Sequence, residues 1–181
     1  MNVFLVGPMG SGKSAVGRQL ARRLGLAFVD SDDEIEARTG VDVSYIFERE
    51  GEAGFRQREA EIIDDLTLRH GLVLATGGGA ILDRGSRERL RTRGHVVYLR
   101  TSVEQQLART RRSADRPLLN NADPRGTLAR LYETRAPLYV ETAEVIVETD
   151  GRKVRSVVQE ILRQLGVQNV AGGESASEAA E

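Results

Sequence analysis

The segment from Gly7 to Ser14 constrains the fold of this chain more than any other, because its spacing matches that of a phosphate-binding loop. It reads GPMGSGKS, follows the apolar run Asn2–Val6, and precedes a stretch with helical periodicity. Glycines let the backbone N–H groups turn inward around a phosphate, and the N-terminus of the next helix favours the same negative charge. Of 26 basic residues only Lys13 and Lys153 are lysines, and Lys13 falls where the motif requires one. The pattern predicts a strand, a phosphate loop and a helix.

A phosphate loop of this kind binds a nucleoside triphosphate, here taken as ATP, together with Mg²⁺. Lys13 is expected to reach the β- and γ-phosphates, and the Ser14 hydroxyl is expected to ligate the metal ion. The predicted contacts to the nucleotide within the loop are Gly10, Ser11, Gly12, Lys13, Ser14 and Ala15.

Composition narrows the class of protein further. The 181 residues fit one domain, and the net charge of −1 gives no general attraction to nucleic acid or to an anionic membrane. The absence of cysteine excludes disulfides, thiolate metal sites and cysteine nucleophiles. No apolar run approaches the length of a membrane span. We therefore expect a cytoplasmic protein, a monomer, with no nucleic-acid or membrane partner.

Strand and helix signals alternate along the chain. Apolar runs predict five strands, at Val3–Val6, Leu26–Val29, Leu72–Ala75, His95–Leu99 and Val145–Val147. Helices are predicted at 12–24, 31–38, 43–70 with a break near 51–54, from 80 to about 93, and at 102–111, 127–139 and 154–165. This alternation predicts an α/β fold, a three-layer α/β/α sandwich around a five-stranded parallel sheet. We expect one domain at 1–168 with a lid at about 110–124, and a disordered acidic tail at 169–181.

Ligands of parallel sheets bind beyond the carboxyl ends of the strands, so the residues that follow each strand are candidates for one site. The second strand is followed by five polar residues from Asp30 to Glu34. A capping box from Ser31 to Glu34 would account for Asp32 and Asp33 without any function. Asp30 precedes that cap, beside the phosphate loop, and is predicted to hold a water molecule of the Mg²⁺ shell.

Two other features are ambiguous from their spacing. Gly77, Gly78 and Gly79 follow the third strand, and they form either a flexible turn or a close approach of the backbone to a substrate. Several arginines either belong to solvated helix faces or neutralise a phosphoryl group during its transfer. They are Arg56 in a glycine-flanked segment and Arg109, Arg111, Arg112 and Arg116 around the predicted lid.

Together these motifs resemble the shikimate kinases, which have the P-loop fold of the nucleoside monophosphate kinases. The resemblance runs from about residue 2 to residue 165 and keeps the order of the family's motifs. It is carried by Gly7–Ser14, Asp30-x-Asp32, Phe55-Arg56, Gly77-Gly78-Gly79-Ala80, Arg116-Pro117-Leu118-Leu119 and Arg135-x-Pro137-Leu138-Tyr139. The phosphate loop alone is common to many functions, whereas the whole set is specific.

The resemblance implies that the chain phosphorylates the 3-hydroxyl of shikimate with ATP, giving shikimate 3-phosphate and ADP, in aromatic amino-acid biosynthesis. It implies a substrate-binding segment at about 31–60. Asp32 would bind the ring hydroxyls, Arg56 and Arg135 would hold the carboxylate, and the backbone of Gly77–Gly79 would contact the ring. Asp32 would either accept the proton of the 3-hydroxyl or only orient that hydroxyl.

On the nucleotide side, the resemblance implies that Arg116 in the lid meets the phosphates of ATP. Arg109 and Arg152 would flank the adenine. The implied catalytic residues are thus Lys13, Asp32 and Arg116.

The same motifs are compatible with two other functions. One is a related small-molecule kinase such as a gluconate kinase, whose substrate also carries a carboxylate and hydroxyls. The other is an ATP-binding regulatory module without catalysis, although the short acidic tail offers no partner-binding segment of the usual kind.

Overall fold

The computed structural model describes residues 1–111, 119 and 121–167. The described residues form one sheet of five parallel strands in the order β2-β3-β1-β4-β5. The strands are β1 (Val3–Val6), β2 (Ala27–Asp30), β3 (Leu72–Ala75), β4 (His95–Arg100) and β5 (Val145–Glu148). This arrangement confirms the predicted parallel sheet.

Helices connect the strands within the described part of the chain. They are α1 (Lys13–Leu24), α2 (Ser31–Thr39), α3 (Val43–Leu68), α4 (Arg84–Arg93), α5 (Val103–Thr110), α6 (Pro124–Thr142) and α7 (Val154–Gln164), and a 3₁₀ turn spans Ala80–Leu82. The break predicted in the third helix is found at Gly51, whose φ of 70° interrupts α3. None of the described helices combines the length and apolar character needed to cross a membrane.

Alternate residues of β1 point to opposite faces of the sheet, and each face is covered by helices. Phe4 and Val6 pack into a core shared with α2, α3, α4 and α6. Val3 and Leu5 pack into a second core shared with α1 and α7. Burial on both faces explains why the strands are almost continuously apolar, and it confirms the three-layer sandwich.

The sixth helix is longer than its sequence pattern predicts. The Asp123 side chain accepts a hydrogen bond from the backbone N–H of Gly126, at 2.9 Å, and this cap starts α6 at Pro124 instead of Thr127. Proline is favoured in the first turn because its missing N–H has no partner there. The helix also continues through Pro137 to Thr142, beyond the predicted end at Tyr139.

The register of the central strands places the connecting loops at one edge. Leu5 on β1 lies opposite Ala75 on β3, and Ala75 also lies opposite Asp30 on β2. The segments that follow these three strands therefore leave the sheet side by side. They are the phosphate loop (Gly7–Ser14), the start of α2 and the glycine turn (Gly77–Gly79).

Candidate active site

The phosphate loop is closed around the side chain of its own lysine. Lys13 Nζ donates hydrogen bonds to the carbonyl oxygens of Gly7 and Pro8, both at 2.8 Å, and to Ser11 Oγ at 3.3 Å. Gly12 caps α1 with a φ of 90°, a conformation that side chains rarely adopt. The loop thus presents an ammonium group and a helix N-terminus at one point, which suits a polyphosphate.

Asp30 joins the phosphate loop to the start of α2. Its Oδ2 accepts a hydrogen bond from Ser14 Oγ at 2.7 Å, so the two predicted metal-site residues are in direct contact. Its Oδ1 accepts from the backbone N–H of Asp32 at 3.1 Å, which makes Asp30 the N-cap of α2. The predicted capping box with Ser31 as the cap is therefore wrong. Ser31 Oγ instead accepts from the N–H of Gly77, at 2.9 Å.

Asp32 is a half-buried carboxylate at this edge of the sheet. Its Oδ1 has no hydrogen-bond partner among the described residues. Burial raises the pKa of Asp32 to about 7, and the nearby carboxylates of Glu59 and Asp30 add to this effect, while Lys13 and Arg56 oppose it. Among the described residues this Oδ1 atom leaves one hydrogen bond unmade, which a donor such as a hydroxyl group could supply.

Glu59 is a residue of this site that sequence reasoning missed. It is 2% exposed, and its Oε2 accepts from Arg56 Nη1 at 2.6 Å. Burial raises the pKa of Glu59, whereas the positive charges of Arg56 and Arg135 lower it. The only signal in the sequence was the three-residue spacing from Arg56 along a predicted helix, which many surface pairs share.

Side chains of the protein itself occupy the space beside two of the three residues of the glycine turn. A Cβ on Gly77 would overlap Glu59 Oε1 and would lie 3.0 Å from Asp32 Oδ1, and a Cβ on Gly79 would overlap the Arg56 guanidinium group. A Cβ on Gly78 would make only ordinary contacts, at 3.4 Å or more. At the two outer glycines the groups that approach the backbone are side chains of this chain, and the close approach to a substrate stays a prediction.

Arg135 reaches the same turn from α6. Its side chain is buried, with 4% of the residue exposed. Nη1 lies 3.6 Å from the position that a Cβ on Gly78 would occupy. Arg56 and Arg135 therefore contact adjacent residues of one turn although they belong to different helices. Asp32, Arg56, Glu59 and Arg135 are called the acceptor cluster below.

A cavity of about 250 Å³ separates the phosphate loop from the glycine turn. Its lining includes Lys13, Ser14, Asp30 and Asp32. A larger cleft of about 530 Å³ opens between α3 and α4, with Arg56 in its wall. The smaller cavity is the one that joins the phosphate-binding atoms to an acceptor carboxylate, so it has the chemistry of a phosphoryl-transfer site.

The predicted nucleotide-side arginines differ in their surroundings. Arg109 donates to the carbonyl of Gly10 at 3.0 Å and to that of Thr149 at 3.2 Å, so it spans from the phosphate loop to the end of β5. Arg152 is exposed and donates to the carbonyls of Glu148 and Ser156, beside the start of α7. Arg116 lies outside the described residues, as do most of the predicted lid and the acidic tail.

The fold and this site define a P-loop kinase of small molecules. Comparison with known proteins gives the particular family. The model of the family described as shikimate kinase matches residues 9–166. A shikimate kinase of Shewanella amazonensis is 54% identical over 165 residues, which are 91% of this chain and 96% of that protein. The chain therefore belongs to the shikimate kinase family.

Solved structures agree with this assignment. The structure of shikimate kinase from Acinetobacter baumannii in complex with shikimate has a TM-score of 0.89 and is 51% identical, covering 94% of this chain and 95% of that one. A gluconokinase from Sinorhizobium meliloti has a TM-score of 0.54 at 21% identity, covering 91% of each chain. That second likeness shows a shared fold alone and does not support the gluconate kinase alternative.

Proposed function

We propose that the cavity between the phosphate loop and the glycine turn is the active site of a shikimate kinase. The enzyme phosphorylates shikimate with ATP in aromatic biosynthesis, and we assign the transfer to the 3-hydroxyl. The observation that carries this proposal is the acceptor cluster, because its residue Asp32 lines the same cavity as Lys13. One carboxyl oxygen of Asp32, Oδ1, is buried without a hydrogen-bond partner among the described residues. Family membership and the relative named as a complex with shikimate support the choice of acceptor.

The acceptor cluster matches the two chemical ends of shikimate. Arg56 and Arg135 carry planar guanidinium groups, which pair with a carboxylate better than a lysine does. Asp32 provides an acceptor for ring hydroxyls, and the backbone of the glycine turn lies between the two arginines. We propose 31–60 as the substrate-binding segment, since it contributes Asp32, Arg56 and Glu59.

On the nucleotide side, the backbone of Gly10–Ala15 and the side chain of Lys13 would bind the β- and γ-phosphates. Arg109 and Arg152 would flank the adenine, and Arg116 would close on the phosphates from a lid at about 110–124. A guanidinium group there would neutralise the negative charge that spreads over the transferring group.

The donor set at the phosphate loop suits Mg²⁺. The Ser14 hydroxyl and the Asp30 carboxylate are hard oxygen ligands in direct contact, and Mg²⁺ prefers such ligands together with phosphate oxygens and water. We propose that Ser14 ligates the ion and that Asp30 holds it through water. With the ion held there, these residues would help to neutralise the negative charge of the phosphates.

Asp32 has two possible roles in the transfer, and its pKa bears on both. A carboxylate with a pKa of about 7 accepts a proton from a hydroxyl more readily than an ordinary aspartate does. The transition state of phosphoryl transfer is loose, so early removal of that proton contributes little. We propose that orientation of the 3-hydroxyl is the larger contribution of Asp32.

Replacement of Arg135 by alanine tests the assignment of the acceptor cluster. Loss of a charged hydrogen bond to the substrate is expected to raise the KM for shikimate roughly 10- to 100-fold, with the KM for ATP unchanged. Arg130→Ala is the matched control, because Arg130 lies on the same helix with a side chain that is 68% exposed. ADP release is measured with shikimate and with gluconate. A normal KM for shikimate in Arg135→Ala would contradict the assignment.

We also propose that the enzyme acts as a monomer in the cytoplasm, without a nucleic-acid or membrane partner. The net charge of −1 supports the absence of a nucleic-acid or membrane partner. Light scattering in the presence of both substrates would test the monomer.

A further inference from the structure

Tyr139 lies one helical turn after Arg135 on α6. Its side chain is buried, with 1% of the residue exposed, and its hydroxyl donates a hydrogen bond to the carbonyl of Gly78 at 2.6 Å. Residues four apart on a helix share a face. One helix therefore brings both a guanidinium group and a hydroxyl to the glycine turn.

The Tyr139 ring is held in place by its neighbours. It stacks on the ring of Tyr98, with centroids 4.9 Å apart and planes inclined by 25°. Burial raises the pKa of the Tyr139 hydroxyl, so the group stays protonated and remains a donor at any pH the enzyme meets. The contact to Gly78 is thus made by a fixed donor.

A turn of three glycines needs such an anchor, because glycine leaves the backbone more freedom than any other residue. The carbonyl of Gly78 and the N–H of Gly79 belong to one planar peptide group, so the bond to Tyr139 fixes the direction of both. On the other side of the turn, Ser31 Oγ accepts from the N–H of Gly77 at 2.9 Å.

The anchored turn contacts both arginines of the acceptor cluster. The Arg56 guanidinium group fills the space that a Cβ on Gly79 would need, and Arg135 Nη1 lies 3.6 Å from the corresponding point on Gly78. Rotation of the peptide between Gly78 and Gly79 would therefore change the space available to both guanidinium groups.

We propose that Tyr139 is a positioning residue for the carboxylate of the substrate. Its hydroxyl, with Ser31 on the opposite side, holds the glycine turn in the conformation that leaves space for the guanidinium groups of Arg56 and Arg135 beside it. The inference rests on the proposed function, in which those two arginines bind the carboxylate of shikimate.

The variant Tyr139→Phe removes the hydroxyl and keeps the ring and its stack. We expect the KM for shikimate to rise about five- to tenfold, which is the loss of one hydrogen bond, with kcat and the KM for ATP within about twofold of wild type. Tyr98→Phe is the matched control. It removes a hydroxyl from the same stack, and that hydroxyl has no bond to the glycine turn in the described part of the chain. Its KM for shikimate should stay unchanged.

Wild-type turnover of shikimate is measured first, so that failure of the proposed function is seen separately from failure of this inference. With an active wild type, an unchanged KM for shikimate in Tyr139→Phe would overturn the positioning role, whatever happens to the melting temperature. An equal rise in the KM of both substrates would also overturn it, because that result indicates general loosening.

The variant Ser31→Ala tests the same inference without any change at Tyr139. It removes the opposite anchor of the glycine turn, so the KM for shikimate should rise while the KM for ATP does not. This variant decides the question if Tyr139→Phe does not fold. A normal KM for shikimate in Ser31→Ala would then overturn the inference.

Discussion

The carboxyl group of Asp32 is expected to make this enzyme less stable as the pH rises. The pKa of Asp32 is raised from 3.8 to about 7 in the folded chain, mainly by burial. Between these two values the folded state holds a proton that the unfolded state has released. Stability from this group is therefore present at low pH and is lost as the pH rises towards about 7.

The size of the effect follows from the same pKa. Each pH unit between the two pKa values lowers the free energy of unfolding by about 1.4 kcal/mol. Raising the pH from about 5 to about 8 therefore lowers it by about 3 kcal/mol through Asp32 alone, because the effect ends near pH 7. Asparagine has the shape of a protonated aspartic acid and does not titrate. Asp32→Asn should match the wild type near pH 5 and exceed its stability near pH 8 by about 3 kcal/mol, or roughly 6 to 12 °C in melting temperature.

Thermal unfolding of the ligand-free enzyme across this pH range measures the difference directly. Asp150→Asn is the matched control, because Asp150 is exposed and an asparagine there can still accept the hydrogen bond from the N–H of Ser102. The pKa of Glu59 is also raised by burial, so Asp32→Asn keeps some dependence of its stability on pH. Parallel melting curves for the wild type and Asp32→Asn from pH 5 to pH 8 would refute the reasoning. The stabilised variant Asp32→Asn should also lose turnover, because the asparagine amide group can donate a hydrogen bond to the substrate hydroxyl but cannot accept its proton.

Two other substitutions test the phosphate loop and the glycine turn. Lys13→Ala should lower kcat by roughly three orders of magnitude or more while the protein stays folded, because the ammonium group is expected to neutralise charge on the transferring phosphoryl group. ADP release measures kcat, and circular dichroism measures whether the variant is folded. Retained turnover would contradict the assignment. Gly77→Ala should destabilise the chain by about 1 to 3 kcal/mol and raise the KM for shikimate, because its Cβ would overlap Glu59. Denaturant unfolding and steady-state kinetics test this, with Gly151→Ala as a comparison in which the added Cβ meets open space although φ is 66°.

The fold could be predicted from the sequence because the central strands β1, β3 and β4 are buried on both faces and are therefore short, almost continuously apolar runs. The carboxyl ends of parallel strands lie at one edge of the sheet, so the sequence predicts that the phosphate loop lies beside Asp30 and Asp32. The sequence pattern predicts the end of α6 at Tyr139, three residues before its end at Thr142 in the structure. In the structure the helix continues through the exposed Pro137 to Thr142, although a proline removes one helical hydrogen bond and its ring crowds the carbonyl four residues earlier.

The parts of the site that the sequence did not reveal all depend on contacts between distant segments. Ser31 has the sequence pattern of a helix N-cap. In the structure its hydroxyl oxygen instead accepts a hydrogen bond from the N–H of Gly77, and Asp30 is the N-cap. Glu59 has the pattern of a surface residue on a charged helix. Its burial depends on how α3 meets the glycine turn, and no local pattern records that distance.

The acceptor cluster contains interactions that are unfavourable in the ligand-free chain. Asp32 and Glu59 are two carboxylates in a buried region, where their charges repel, and an oxygen atom of each has no hydrogen-bond partner in the described part of the chain. Arg56 compensates only one oxygen of Glu59. A substrate that brings hydroxyl donors to Asp32 and a carboxylate to the arginines supplies the opposite partner at each end. Under the proposed function, the cluster would therefore gain more from binding such a molecule than an already satisfied site would, and this would favour an acid with several hydroxyls over a neutral sugar.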